Sequence, residues 1–208
     1  MANASGSMAR TPLASLQQFV RKPRERAEVC ELCAKAIAPT HSHLLELEKR
    51  RVVCACEPCS ILFGGNTRQR YKRIPRDVYR LDNFIMDDHE WESLLIPINL
   101  AFFVYSSAAA KMVAQYPSPG GVMESSLDLG YWDTIVRQNP VLTRIEPDVE
   151  ALLVNRIGVS PQYFRVPMDK CFQLVGIIRT HWRGFSGGEE VWKEIDNFFC
   201  ELHTQSGV

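Results

Sequence analysis

The chain has 208 residues, 46% hydrophobic and 23% charged, which is enough apolar material for one full core plus a small appended module and excludes wholesale disorder. Its formal net charge of zero conceals an imbalance: residues 1–80 hold 15 Lys and Arg against 7 Asp and Glu, and residues 81–208 hold 9 against 17. No stretch reaches the roughly 18–20 uninterrupted apolar residues of a membrane span, and the start lacks the apolar core of a secretory signal, so a cytoplasmic protein with no membrane contact is expected.

Residues 1–27 read as a leader carrying a short helix over 12–20, opened by Pro12 and stopped before Pro23. Its Leu13, Leu16, Phe19 and Val20 make one apolar stripe suited to docking on the protein's own core. Residues 28–65 form a cysteine module. Within it, strand-like runs at 43–48 and 51–54 flank the polar turn Lys49-Arg50 and predict a hairpin, and Pro58 suits the first turn of a short helix. Gly64 and Gly65 mark the exit, after which Arg68, Arg70, Lys72, Arg73 and Arg76 form a basic linker or edge strand.

Residues 66–208 read as one mixed α+β domain, with strands expected near 77–81, 94–105, 111–116 and 149–157 and a turn at 117–121. Helices are expected at 127–138, 167–182 and 188–202. In the last two, Cys171, Leu174, Val175 and Ile178, then Val191, Ile195, Phe198, Phe199 and Leu202, recur at helical spacing and form core stripes. Cys171 and Cys200 are accordingly expected as small buried hydrophobes. Asp87-Asp88-His89-Glu90 reads as a solvated helix start, and His181 and Arg183 as caps at a helix end.

Five of the seven cysteines fall between Cys30 and Cys59. Cys30-Glu31-Leu32-Cys33 and Cys56-Glu57-Pro58-Cys59 are two C-x2-C pairs separated by 22 residues. Two residues between thiolates let one tight turn aim both sulfurs at one ion, and two such turns close a tetrahedron around zinc. Cys30, Cys33, Cys56 and Cys59 are therefore the expected ligands, with Cys54 as an alternative to Cys56. His41 and His43 read as polar residues at the start of the hairpin, since four cysteines already fill a structural site.

A knuckle, a hairpin and a ligand pair opening a helix resemble the treble-clef class of zinc modules, with a zinc ribbon as the second choice. Iron, as a rubredoxin-like single ion or an iron–sulfur cluster, is the alternative metal. The rubredoxin pattern expects glycine after each pair, where this chain has Ala34 and Ser60.

A four-cysteine site is coordinatively closed, and the chain contains no G-x-S-x-G, phosphate-cradling glycine loop or H-E-x-x-H pattern. The reading therefore leans away from an enzyme. The basic run, with Lys49, Arg50 and Arg51 and the interleaved Tyr71 and Tyr79, offers a nucleic-acid footprint as an alternative function, and a redox protein holding iron is another.

The two cysteine pairs, the Val53–Cys59 segment, the Pro117–Gly121 turn and the Trp-containing C-terminal part together resemble an uncharacterised bacterial family of about this length. Its members are encoded among accessory genes of nickel-iron hydrogenases. The resemblance implies an accessory or maturation role and supplies no catalytic residues. The expected function is a zinc-binding interaction or assembly factor with a protein partner.

Overall fold

The computed structural model describes residues 28–65, 70–125 and 132–207. The helix expected at 12–20, Arg68, and the first part of the helix expected at 127–138 lie outside them.

A small antiparallel sheet comes first. Strands β1 (Ser42–Glu46) and β2 (Arg51–Ala55) form the predicted hairpin, with Leu44 opposite Val53, and helix α1 (Glu57–Gly64) follows directly. The third strand, β3 (Tyr71–Arg73), comes from beyond Gly65 and pairs with β1, so the strand order is β2-β1-β3. The basic run is thus in part an edge strand. Gly64 is needed where α1 crosses this edge, because a Cβ there would meet the Arg73 Cβ at 2.8 Å and the Arg73 backbone nitrogen at 3.2 Å.

The larger sheet is antiparallel throughout, in the order β4-β9-β8-β5-β6-β7. Its strands are β4 (Tyr79–Arg80), β5 (Leu100–Ser106), β6 (Lys111–Ser118), β7 (Gly121–Ser125), β8 (Glu150–Asn155) and β9 (Gln162–Pro167). Helices α2 (Asp88–Ser93) and α3 (Trp132–Gln138), with a 3-10 turn at Pro140–Arg144, cover one face. Helices α4 (Met168–His181) and α5 (Glu189–Ser206) cover the other.

Strand alternation sorts the core between these layers. Leu100, Phe102, Val104, Ala151, Leu153, Phe164 and Val166 face α4 and α5. Ala101, Phe103, Leu152, Val154 and Tyr163 face the opposite layer, where Phe103 stacks on Trp132 at 4.8 Å. A strand buried on both faces reads as a continuous apolar run, which is why β5 is uninterrupted in the sequence. The fold is the expected α+β class, with a cysteine-rich sheet region in front and two helices at the end.

Several local expectations change. The strand expected from 94 begins only at Leu100, because Leu95 takes the left-handed region at φ 52°. Cys171 is fully buried, but Cys200 is exposed: the α5 stripe of Val191, Ile195, Phe198, Phe199 and Leu202 faces inward and leaves position 200 on the outer side. Asp87 does open a helix, through a capping box in which its carboxylate accepts from the Glu90 amide at 2.7 Å and Glu90 accepts from the Asp87 amide at 2.9 Å. Arg183 caps α4 by donating to the Thr180 carbonyl at 2.9 Å, while His181 pairs with Glu190 of α5 at 2.9 Å.

The small sheet is seated on the larger unit. Leu45, Ile74 and Val149 form a buried cluster, against which Leu47, Val52 and Phe172 of α4 pack.

Candidate metal centre

The first cysteine pair sits on a tight turn. The Ala34 amide donates to the Cys30 carbonyl and the Cys30 amide to the Lys35 carbonyl, each at 2.8 Å. Closing this turn places Ala34 at φ 61°, a left-handed conformation that costs an L residue roughly 1–2 kcal/mol. The second pair opens α1: Cys56 stands at its N-cap, Pro58 occupies the first turn where no amide is needed, and Cys59 lies in the same turn. Knuckle, hairpin and helix follow one another as in a treble clef.

These elements bring the four expected sulfurs together. The Sγ atoms of Cys30, Cys33, Cys56 and Cys59 all lie within 4.8 Å of one another, with Cys33 and Cys56 at 3.6 Å. A tetrahedral zinc with bonds of about 2.3 Å separates its sulfurs by about 3.8 Å, so the cluster is capable of holding a metal ion. Cys30, Cys56 and Cys59 are buried and Cys33 is exposed.

The electrostatics also fit a cation. Burial pushes the Cys30 thiol up, but hydrogen bonds from the backbone at Cys56, Leu32 and Cys33 outweigh it and bring the pKa down to about 6. Cys59 is pushed up to about 12 by its hydrogen bond with Cys56, by burial and by the neighbouring Cys33 and Cys30. One thiolate forms readily and its charge opposes the others. Joint ionisation requires a positive charge among the sulfurs, and a divalent ion supplies it.

Cys54 lies elsewhere. Alternation along β2 sends Val53 and Ala55 into the cluster with Cys30, Cys56 and Cys59, and turns Cys54 to the opposite face, across from His43. Burial, then Glu31, Glu28 and Cys30, raise its pKa. Of the two thiols competing to join Cys59, the fold brings in Cys56 and groups Cys54 with His41 and His43 instead.

Several basic residues among those described are engaged within the chain. Glu46 is 0% exposed, and its carboxylate accepts from Arg70 Nε at 2.8 Å and from Arg70 Nη2, while Arg51 Nη2 approaches at 3.2 Å and Lys49 at 3.4 Å. Lys72 pairs with Glu146 at 3.2 Å and donates to the Pro147 carbonyl at 2.6 Å. Arg73 pairs with Glu57 at 2.6 Å, and Arg76 donates to the Ser42 hydroxyl at 3.1 Å. A nucleic acid contacting these side chains would have to displace Glu46, Glu57 and Glu146 from them.

Glu46 makes the small sheet acid-sensitive. Its pKa is lowered, first by the Arg70 hydrogen bonds and against the effect of burial. A carboxylate held low in the folded state contributes stability above its unfolded pKa, about 4.3, and loses it as pH falls through the folded value. Glu46→Gln is therefore expected to destabilise the protein at neutral pH. The gap from wild type should narrow as pH drops below the ordinary glutamate range, measured by denaturant midpoints at a series of pH values. A gap that stays constant with pH would show that the carboxylate charge is not what matters.

A four-thiol cluster on a knuckle, hairpin and helix, beside an antiparallel sheet between helical layers, defines an α+β protein with a cysteine-rich region capable of coordinating a metal ion. The family model that matches residues 29–206 places the chain in a family: it belongs to the family of unknown function DUF5947. No curated protein and no solved structure matches it.

Proposed function

We propose that this protein is a zinc-binding, non-enzymatic interaction or assembly factor, with Cys30, Cys33, Cys56 and Cys59 as the ligands. The convergence of these four sulfurs carries the reading. A closed tetrahedron holds shape and leaves no position for substrate, and four thiolates on two C-x2-C turns suit zinc. The clamp fixes α1, which turns Ile61 and Leu62 outward at 63% and 68% exposure. Adjacent exposed apolar side chains on a metal-anchored helix are suited to a protein partner. Accessory work in nickel-iron hydrogenase maturation, implied by the family resemblance, is one form this role takes.

The test is affinity capture from the native host with the tagged full chain. A stoichiometric partner retained by wild type and lost from Cys59→Ser supports the reading, and identical partners from both overturn it. Elemental analysis of protein purified without oxygen tests the metal. Zinc in a colourless protein is expected, whereas visible absorption that bleaches on reduction would assign the site to iron and favour a redox role.

A further inference from the structure

The side of β1 turned away from the four cysteines carries a second group of ligand-type side chains. His41 and His43 stand edge to face, with ring centroids 4.7 Å apart, and Cys54 is the residue directly opposite His43 in β2. One nitrogen from each ring and the Cys54 sulfur all lie within 4.8 Å of one another. The two Nε2 atoms are 3.1 Å apart. Two nitrogens bound at 2.0–2.1 Å to a tetrahedral ion would sit at about 3.3 Å.

The partners of these rings fix where their hydrogens are. His43 Nδ1 lies 2.7 Å from Asp169 Oδ2 in α4, and an ionised carboxylate only accepts, so that nitrogen carries the hydrogen. His41 Nδ1 lies 2.9 Å from the Ala38 carbonyl and 3.3 Å from a Glu28 carboxylate oxygen, both acceptors, so it too carries one. In neutral rings both Nε2 atoms then present lone pairs, and they point at each other across 3.1 Å. That arrangement is repulsive unless a cation lies between them.

A shared proton would relieve the two rings, but it would leave the third donor, Cys54, without a part. Asp169 Oδ1 is buried and has no hydrogen-bond partner among the described residues. A divalent ion engages all three donors and, with Cys54 as a thiolate, leaves one net positive charge beside Asp169 and Glu28. The Asp169 contact has the form that orients metal-bound imidazoles elsewhere, with a carboxylate accepting from the ring nitrogen that does not bind the metal.

We propose that His41 Nε2, His43 Nε2 and Cys54 Sγ form a second metal site, for a late first-row divalent ion such as zinc, at the junction between the small sheet and α4. Three protein ligands leave a fourth coordination position for water or for a donor from another molecule, where four cysteines leave none. The site shares no ligand with the four-cysteine cluster and does not rest on it.

The full chain, purified without oxygen, is saturated with cobalt(II) and its metal content is read by elemental analysis, native mass spectrometry and visible absorption. Two ions per chain are expected. His43→Ala and Cys54→Ser each leave one, without loss of the four-thiolate charge-transfer absorption. Asp169→Asn keeps every ligand, retains two ions at saturation and weakens the second about 10–100-fold, a readout that misfolding would not mimic. One ion per chain in wild type that His43→Ala retains, or two retained by His43→Ala, overturns the proposal. Failure of the four-cysteine reading looks different: wild type then holds a single ion, without four-thiolate absorption, that His43→Ala loses and Cys59→Ser keeps.

Discussion

Cys59→Ser is expected to abolish metal binding by the four-cysteine cluster and to lower amide exchange protection at residues 30–38 and in α1 by about 100-fold or more, while β5, β8 and β9 keep theirs. The reason lies in what the module has for a core. The cluster beneath the knuckle consists of Cys30, Leu44, Val53, Ala55, Cys56 and Cys59, so half of its buried side chains are the candidate ligands. Removing the ion leaves thiols that repel when ionised and, besides Leu44, Val53 and Ala55, only the partly buried Leu32, Ile37 and Tyr71 to hold a turn and a helix. Structural zinc contributes about 10–16 kcal/mol of apparent binding energy in small finger peptides, far more than such a core supplies. The hairpin itself is less exposed to this loss, because Leu45 and Val52 anchor its other face on Val149 and Phe172. Exchange measured by mass spectrometry should therefore show loss concentrated at the knuckle and helix. Cys54→Ser is the control: equal loss of protection there would mean that the ligand set is wrongly assigned.

The four-cysteine cluster was legible because ligand spacing is a local property: two C-x2-C turns declare themselves without knowledge of the fold. The hairpin between them and the two final helices were legible for a similar reason, since periodicity within one element survives whatever packs on it. What stayed hidden depends on pairing across elements. β9 was missed because Arg165 interrupts its apolar pattern, and only the fold shows this guanidinium 3.3 Å from Glu150 and over the Tyr79 ring at 3.9 Å. Glu46 looks like a surface residue until Arg70, Arg51 and Lys49 are seen to converge on it. His41 and His43 read as polar punctuation because their meaning rests on the register that sets Cys54 opposite His43, and on Asp169, 126 positions further along the chain. An H-x-H beside a predicted strand, facing a cysteine left over from a filled site, was the signal available.

Phe102→Ala and Phe103→Ala are each expected to destabilise the protein by about 3–5 kcal/mol, yet to differ in what they do to the metal junction. Both rings are 0% exposed and are neighbours in sequence, but β5 sends them to opposite layers. Phe103 packs with Trp132 and the α2–α3 side. Phe102 shares its cluster with Met168, Cys171 and Val175 of α4, the helix that also supplies Asp169 to His43 and Phe172 to the seat of the small sheet. A cavity at Phe102 is relieved in part by movement of α4, which displaces the Asp169 carboxylate. A cavity at Phe103 is relieved on the far face. Denaturant unfolding should therefore give two similar losses. Cobalt(II) titration under native conditions should show weaker binding at the histidine–cysteine site for Phe102→Ala alone. Equal weakening by Phe103→Ala would show that the junction responds to global stability and not to the position of α4.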